Sequence, residues 1–377
     1  MKKLLFIFGT RPEAVKMAPL IKEFNKHRGE FDVKVLVTAQ HRQMLDQVLD
    51  FFEIKPDWDL NLMKSNQTLF DITADGLRGI EKVLAEYNAD VIFVQGDTTT
   101  VLIGALAAFY KKIKVAHIEA GLRSGNKFSP YPEEMNRTIA GHIADFHFAP
   151  TEKARESLAK ENIKRNVYVV GNTVIDALHL GLDIVKKKND GEFKKLFNFI
   201  DFSKKIILVT GHRRESFGAP FEDMCGALKE ISLRFADEIE IIYPAHLNPH
   251  VQAPVKNILS NLKNVHLIEP LDYPKLIWLM EKSYIVLTDS GGIQEEAPAL
   301  GKPVLVMRDV TERQEGIDAG TAKLVGTSFF KIVAETQNLI SNEKEYEKMA
   351  HAVNPYGDGT SSRQIVEILK KHIHIEQ

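Results

Sequence analysis

The chain has 377 residues with a formal net charge of −2, and is 44% hydrophobic and 27% charged. That length exceeds the size at which a single core stops growing, so two domains of an ordinary soluble protein are expected. A charge so close to neutral provides no global field for nucleic acid, and any anionic ligand must be held by local cations.

The N-terminus begins with two lysines and an apolar run that ends at Gly9-Thr10-Arg11-Pro12, too short for the core of a signal peptide. No apolar segment approaches the roughly 20 residues that span a bilayer, which predicts a cytoplasmic protein with no membrane partner. Apolar runs at Lys3–Phe8, Val33–Thr38, Val91–Gln95, Val115–Glu119, Phe146–Ala149 and Tyr168–Val170 read as strands. They are nearly continuous rather than alternating, the pattern of strands buried on both faces of a parallel sheet. Helical stretches such as Ala14–His27 and Val101–Tyr110 lie between them, so the repeat predicts a doubly wound α/β sheet. The lysine-crowded segment from Asp183 to Lys205 marks the interdomain connection, there or slightly before it. The alternation then restarts with Ile206–Thr210, Glu240–Tyr243, Val265–Ile268, Ile285–Thr288 and Val304–Met307. Cys225, the only cysteine, excludes an internal disulfide and a thiolate metal cluster; its amphipathic surroundings predict a buried structural thiol. Near the C-terminus, the turn formers Asn354 to Gly359 precede a helix capped by Thr360 or Ser361, and the sequence leaves either domain open as its partner.

In open parallel sheets, ligands bind beyond the carboxyl ends of the strands. Five such ends carry dense polar groups. At Gly9 to Glu13, Thr10 and Glu13 have capping-box spacing, while Arg11 and Lys16 put cations at a helix N-terminus that disfavours them. An anion would resolve that conflict; solvated surface cations are the alternative. The glycine pattern G-x-G-x-x-G is missing there, which argues against a nicotinamide cofactor. At Gln95 to Thr100, three threonines are available to cap the next helix, which leaves Asp97 free for other work. Glu119 ends a buried strand, where a carboxylate must be paired or used, and the stiff loop Pro130 to Glu134 brings Glu133 behind it. Asp97, Glu119 and Glu133 are expected on one cleft wall, where crowding separates their pKa values for acid–base work. After Ile206–Thr210, His212 and its arginine neighbours offer charge-assisted donors. After Ile285–Thr288, Ser290-Gly291-Gly292 opens a helix and exposes backbone N–H groups suited to a diphosphate, with Glu296 placed for a ribose. Two further patterns carry little weight. Asp57-Trp58-Asp59 has D-x-D spacing but is expected in a polar loop, and His246 and His250 have zinc-like spacing without a third ligand.

These residues resemble a known family. GTRPEAVKMAPL, TAQHRQMLDQ, GDTTT, IEAGLRSG, the YPEE segment through Arg137, GNTVIDAL, VTGHRRESFG, TDSGGIQEEAPALGKPVL and NPYGDG are similar to motifs of the bacterial non-hydrolysing UDP-N-acetylglucosamine 2-epimerases, in the same order from Lys3 to about Ile368. The resemblance implies two Rossmann-like domains facing a cleft, the GT-B architecture. It places the C-terminal helix on the first domain: 1–170 with 361–377, against 171–360 for the second. It further implies interconversion of UDP-N-acetylglucosamine and UDP-N-acetylmannosamine for cell-surface polysaccharides, by a homodimer needing neither metal nor other cofactor. Carbon 2 has no neighbouring carbonyl, so direct deprotonation is unfavourable, and without a nicotinamide site the route left is elimination of UDP to 2-acetamidoglucal and re-addition. Asp97, Glu119 and Glu133 are then the acid–base set, with the face served by each left open, and His212 stands at the departing phosphate. Arg11 and Lys16 line the site, Ser290, Gly291 and Gly292 hold the diphosphate, Glu296 the ribose, and Arg313 makes a further polar contact. The uracil is expected near Leu271 to Leu276. Gln40, His41, Gln43, Gln67 and Arg213 match an allosteric site for a second UDP-N-acetylglucosamine, although Asn66 stands where some members have arginine. A retaining glycosyltransferase, a hydrolysing epimerase and a catalytically silent nucleotide-sugar sensor are the rival readings.

Overall fold

The computed structural model describes residues 1–39, 42–64 and 66–375. Contacts divide the chain into two units, Met1–Leu180 with Tyr356–Gln377, and Gly181–Pro355.

The first unit holds strands β1 (Lys2–Phe8), β2 (Phe31–Val37), β3 (Trp58–Asp59), β4 (Val91–Gln95), β5 (Lys114–Ile118), β6 (Phe146–Ala149) and β7 (Val167–Val169). They form one sheet in the order β3-β2-β1-β4-β5-β6-β7, and every neighbouring pair is parallel. Between them run α1 (Arg11–Asn25), α2 (Arg42–Phe51), α3 (Leu69–Glu86), α4 (Thr99–Tyr110), α5 (Glu133–Ile143) and α6 (Glu152–Lys160), followed by α7 (Thr173–Lys188). Leu4 to Phe8 are fully buried, as a central strand covered on both faces requires. Phe6 stacks on Phe93 of β4 at 4.5 Å between ring centroids, and Phe24 of α1 packs against both rings. Each such buried ring contributes about 1.5–3 kcal/mol.

The second unit repeats the plan with β8 (Lys205–Thr210), β9 (Ile239–Pro244), β10 (Val265–Ile268), β11 (Ile285–Thr288), β12 (Val304–Val306) and β13 (Ala322–Leu324), ordered β10-β9-β8-β11-β12-β13 and parallel throughout. Its helices are α8 (Asp190–Leu196), α9 (Ala219–Arg234), α10 (Pro249–Leu259), α11 (Tyr273–Lys282), α12 (Gly291–Ala299), α13 (Gln314–Asp318), α14 (Phe329–Ser341) and α15 (Glu343–Ala350). The last helix, α16 (Ser361–Ile375), belongs to the first unit. Cys225 is buried in the apolar core of the second unit. Among the described residues no helix is long and apolar enough to cross a membrane.

The structure differs from expectation at the short edges and at the division. Strands β3 and β13 carry no long apolar run, because an edge strand of two or three residues buries little side chain. Asp57-Trp58-Asp59 is therefore not a polar loop: Trp58 and Asp59 pair with β2, and Asp57 is fixed by the Val35 N–H and the Lys34 ammonium, both at 2.8 Å. The lysine-crowded stretch is helical, forming the end of α7 and then α8. The units divide at Leu180 rather than at 170, because the first turns of α7 are anchored to α16: Asp176 accepts the N–H groups of Ser361 at 3.3 Å and Ser362 at 2.7 Å. The return falls at Tyr356 rather than at 361, since the Asn172 N–H donates to the Tyr356 carbonyl at 2.7 Å.

Candidate active site

In both sheets the connections reverse direction beside the first strand, so the switch points lie between β1 and β4 and between β8 and β11. Ligands in such sheets bind at the carboxyl ends of those strands. Four of the five polar strand ends read from the sequence flank these two points.

At the first switch point, β1 leads through Gly9 and Thr10 into α1. Glu13 folds back to accept the Gly9 N–H at 3.1 Å and the Thr10 N–H at 2.8 Å on Oε2, while Oε1 accepts the Thr98 hydroxyl at 2.8 Å. One buried carboxylate thus ties the β1–α1 turn to the β4–α4 turn. Burial is the main cause that pushes Glu13 from 4.5 up to about 7, against the pull of the Thr10, Thr98 and Gly9 donors. In the window between pH 4.5 and about 7 the folded chain therefore retains a proton that the unfolded chain has released, so stability falls as pH rises. Above about pH 7 both states are ionised and the dependence ends. Glu13→Gln stays neutral and is expected to lack this slope; thermal midpoints of wild type and variant across the window check it. Parallel curves would mean that Glu13 does not titrate there.

Glu119 follows β5 in a left-handed backbone conformation, φ +61°, strained for a non-glycine residue. Its buried carboxylate gathers donors from three elements: Lys16 of α1 at 2.6 and 2.7 Å, Asn172 just before α7 at 2.8 Å, and the Gln95 side chain at the end of β4. From the sequence, Lys16 reads as a cation beside the α1 N-terminus, there for an anion or simply solvated. Instead it is paired within the protein, because a half-buried ammonium needs a counter-charge; Arg11 is exposed. Thr98 caps α4, leaving Asp97 outside the cap. Its carboxylate meets Arg137 at 3.1 Å, its carbonyl accepts from Asn136 at 3.0 Å, and the Gly96 carbonyl before it accepts from His117 at 2.7 Å. Burial pushes Asp97 above the usual carboxylate range, Arg137 opposes the shift, and the charges of Glu119 and Glu133 add to it. The three carboxylates thus share one electrostatic neighbourhood. Burial holds His117 down at about 4, so it is neutral at physiological pH.

Glu133 and Glu134 begin α5. Glu133 is half-buried, whereas Glu134 is buried and structural. Burial pushes Glu134 up, but the N–H groups of Ser124 and Gly125 and the Arg137 guanidinium outweigh it and leave a net lowering.

At the second switch point, β8 ends at Thr210, whose hydroxyl meets that of Thr288 of β11 at 2.6 Å. Asp289, fully buried, accepts the backbone N–H groups of His212 and Arg213 at 2.6 and 2.7 Å and so shapes their loop. Ser290 is the N-cap of α12, with its N–H donated to Thr288 Oγ1 at 2.9 Å and its side chain not used as the cap. Gly291 faces Arg313: a Cβ there would come within 3.2 Å of the guanidinium carbon. Arg313 itself is held by Glu295 at 2.8 Å. Glu296 is buried and accepts the Tyr273 hydroxyl at 3.0 Å. Leu271 and Leu276 are half-buried, before and within the first turns of α11, which Asp272 caps.

Of the allosteric candidates, Gln40 and His41 lie outside the described residues. Gln43 falls in α2, and Gln67 is half-buried with its Nε2 lacking a hydrogen-bond partner. Arg213 belongs to the second unit, in the loop pinned by Asp289. His246 stacks on His212 at 5.4 Å, and His250 stacks on Phe217 at 5.3 Å. Sequence reasoning did not nominate Gln95, Asn172, Arg137, Tyr273 or Asp289. Gln95 was readable as an amide closing an apolar strand, and Asp289 as a carboxylate between a buried strand and a glycine pair.

Two doubly wound parallel sheets, each with polar side chains gathered at its switch point, define an α/β enzyme of the GT-B class. The family described as UDP-N-acetylglucosamine 2-epimerase matches residues 22–370. Over 373 residues the chain is 54% identical to the UDP-N-acetylglucosamine 2-epimerase of Escherichia coli and 53% identical to that of Salmonella typhimurium, covering 98% of this chain and 99% of each relative. The crystal structure of UDP-GlcNAc 2-epimerase from Neisseria meningitidis bound to UDP-GlcNAc aligns with a TM-score of 0.89 at 49% identity, covering 98% of this chain and 100% of that one. The chain belongs to the UDP-N-acetylglucosamine 2-epimerase family of isomerases.

Proposed function

We propose that the chain interconverts UDP-N-acetylglucosamine and UDP-N-acetylmannosamine by anti elimination and re-addition of UDP. A carboxylate takes the C2 proton, the C2–H electrons form the C1–C2 double bond of 2-acetamidoglucal, and the C1–O bond breaks with its electron pair leaving on UDP. Return of a proton to the opposite face, with UDP re-adding at C1, gives the epimer. Asp97, Glu119 and Glu133 serve as the acid–base set, and His212 offers a donor to the departing phosphate oxygen. Arg11 and Lys16 add positive charge. Ser290, Gly291 and Gly292 hold the diphosphate at the α12 N-terminus, Glu296 the ribose, Arg313 a further polar group, and Leu271 to Leu276 the base.

The observation that carries the reading is the carboxylate cluster of the first unit. The Asp97 carboxyl is pushed up by burial and by two neighbouring carboxylates, beside a Glu119 fixed by donors from three elements. Groups with displaced proton affinities at a strand-end crevice suit proton transfer, whereas a nucleotide sensor has no need of them. The Neisseria relative bound to UDP-GlcNAc supports the substrate assignment. We place the activity in the cytoplasm, in a homodimer that supplies cell-surface polysaccharide precursors. A second UDP-N-acetylglucosamine activates it through Gln40, His41, Gln43, Gln67 and Arg213.

The test is incubation with UDP-N-acetylglucosamine in deuterated water, followed at C2 by NMR. Deuterium is expected at C2 of both epimers, with no free sugar accumulating. Free N-acetylmannosamine would mark a hydrolase, and interconversion without deuterium would exclude proton exchange with solvent.

A further inference from the structure

Asp289 continues the β8–β11 ladder by one residue, its N–H donated to the Thr210 carbonyl at 3.0 Å, and its side chain is fully buried. The two carboxylate oxygens are used unequally. Oδ2 takes both loop N–H groups, of His212 at 2.6 Å and Arg213 at 2.7 Å, whereas Oδ1 is buried without a hydrogen-bond partner. Leaving a buried acceptor unmatched costs about 1–3 kcal/mol, and more when it is charged, so an unmatched oxygen calls for a donor. The ring at hand is His212, whose Nδ1 lies 3.6 Å from Oδ1, too far for a hydrogen bond. Closing to a charge-assisted distance needs less than about 1 Å. The His212 side chain is 47% exposed and has room to turn. Its ring lies nearly parallel to that of His246, whose Nδ1 accepts the Asn248 N–H at 3.1 Å and therefore carries no proton.

We propose that Asp289 is a positioning residue for His212: when a nucleotide phosphate enters the loop, the ring closes on Oδ1, donates Nδ1–H to it, and turns Nε2–H toward the phosphate oxygen. One buried carboxylate then fixes both the backbone that carries the histidine and the orientation of its ring. This rests on the reading of His212 as the group at the departing phosphate.

The test uses the full chain labelled with nitrogen-15 at histidine, with UDP as the probe. In wild type, UDP is expected to bring His212 Nδ1 into a protonated, hydrogen-bonded form. In Asp289→Asn the amide oxygen still accepts the loop N–H groups, but its NH2 faces the ring, so Nδ1 stays unprotonated. Turnover of that variant is expected to fall roughly 10- to 100-fold with KM within about twofold. A UDP-bound wild type whose His212 Nδ1 carries no proton overturns the proposal, and that measurement does not depend on the variant folding. A variant that binds UDP with wild-type His212 signals and wild-type turnover also overturns it. His212→Ala with full turnover would instead remove His212 from the reaction, and so the reading beneath, whatever the tautomer.

Discussion

Asp97→Asn is expected to lower C2 deuterium exchange by roughly a thousandfold while UDP still binds. The substitution preserves shape: the amide oxygen can still accept from Arg137, which meets Asp97 at 3.1 Å and retains Glu134 as its second partner. What is lost is the capacity to take and return a proton. The wild-type carboxyl titrates above the ordinary range, raised by burial and by Glu119 and Glu133 against the pull of Arg137 and Lys16. A base of this kind works only when ionised. Activity should therefore decline as pH falls through that raised value, at a higher pH than an ordinary aspartate would give. Exchange measured by NMR, with UDP affinity measured in parallel by calorimetry, separates chemistry from binding. Exchange within tenfold of wild type would take Asp97 out of the proton transfer.

Much of this arrangement was legible because parallel sheets place their strands and strand ends in sequence order. Val91–Gln95 and Ile285–Thr288 are apolar runs ended by polar residues, and both are strands with those bounds. The capping spacing of Thr10 and Glu13 and the capping threonine, Thr98, are local chemistry, which a local reading recovers. Partnership was not legible. Lys16 and Glu119 stand 103 residues apart, and their pairing depends on β1, β4 and β5 lying side by side. Asn172 reaches Glu119 only because the chain has already passed through β6 and β7. Asp289 hid in a stretch whose glycines drew attention to the ligand, while its own work is to hold the opposite loop.

Glu119→Gln is expected to cost the first unit about 3 kcal/mol, as breaking one side of a buried ion pair does. The lysine side chain is 13% exposed and the glutamate 6%, so neither charge is well hydrated. The side chains seen around Glu119 are donors: the Lys16 ammonium and the Gln95 and Asn172 amides. A glutamine brings an NH2 into that nest, so one contact becomes donor against donor and the lysine charge loses its nearest compensation. Asp97 lies close enough to feel Lys16, which limits the loss. Lys16→Met alone should be damaging for the converse reason: the buried carboxylate, on a backbone at φ +61°, keeps its amide donors but loses the ammonium. Together the two changes should cost about 2 kcal/mol less than their sum, because the amides of residues 95, 119 and 172 can then pair among themselves. Urea unfolding followed through Trp58, in a Trp278→Phe background so that only the first unit reports, gives this coupling. Additive losses would mean that Lys16 and Glu119 do not stabilise one another. The double variant also separates structure from chemistry: it should be more stable than two additive losses allow yet remain without C2 exchange, since no repacking restores the Glu119 carboxylate.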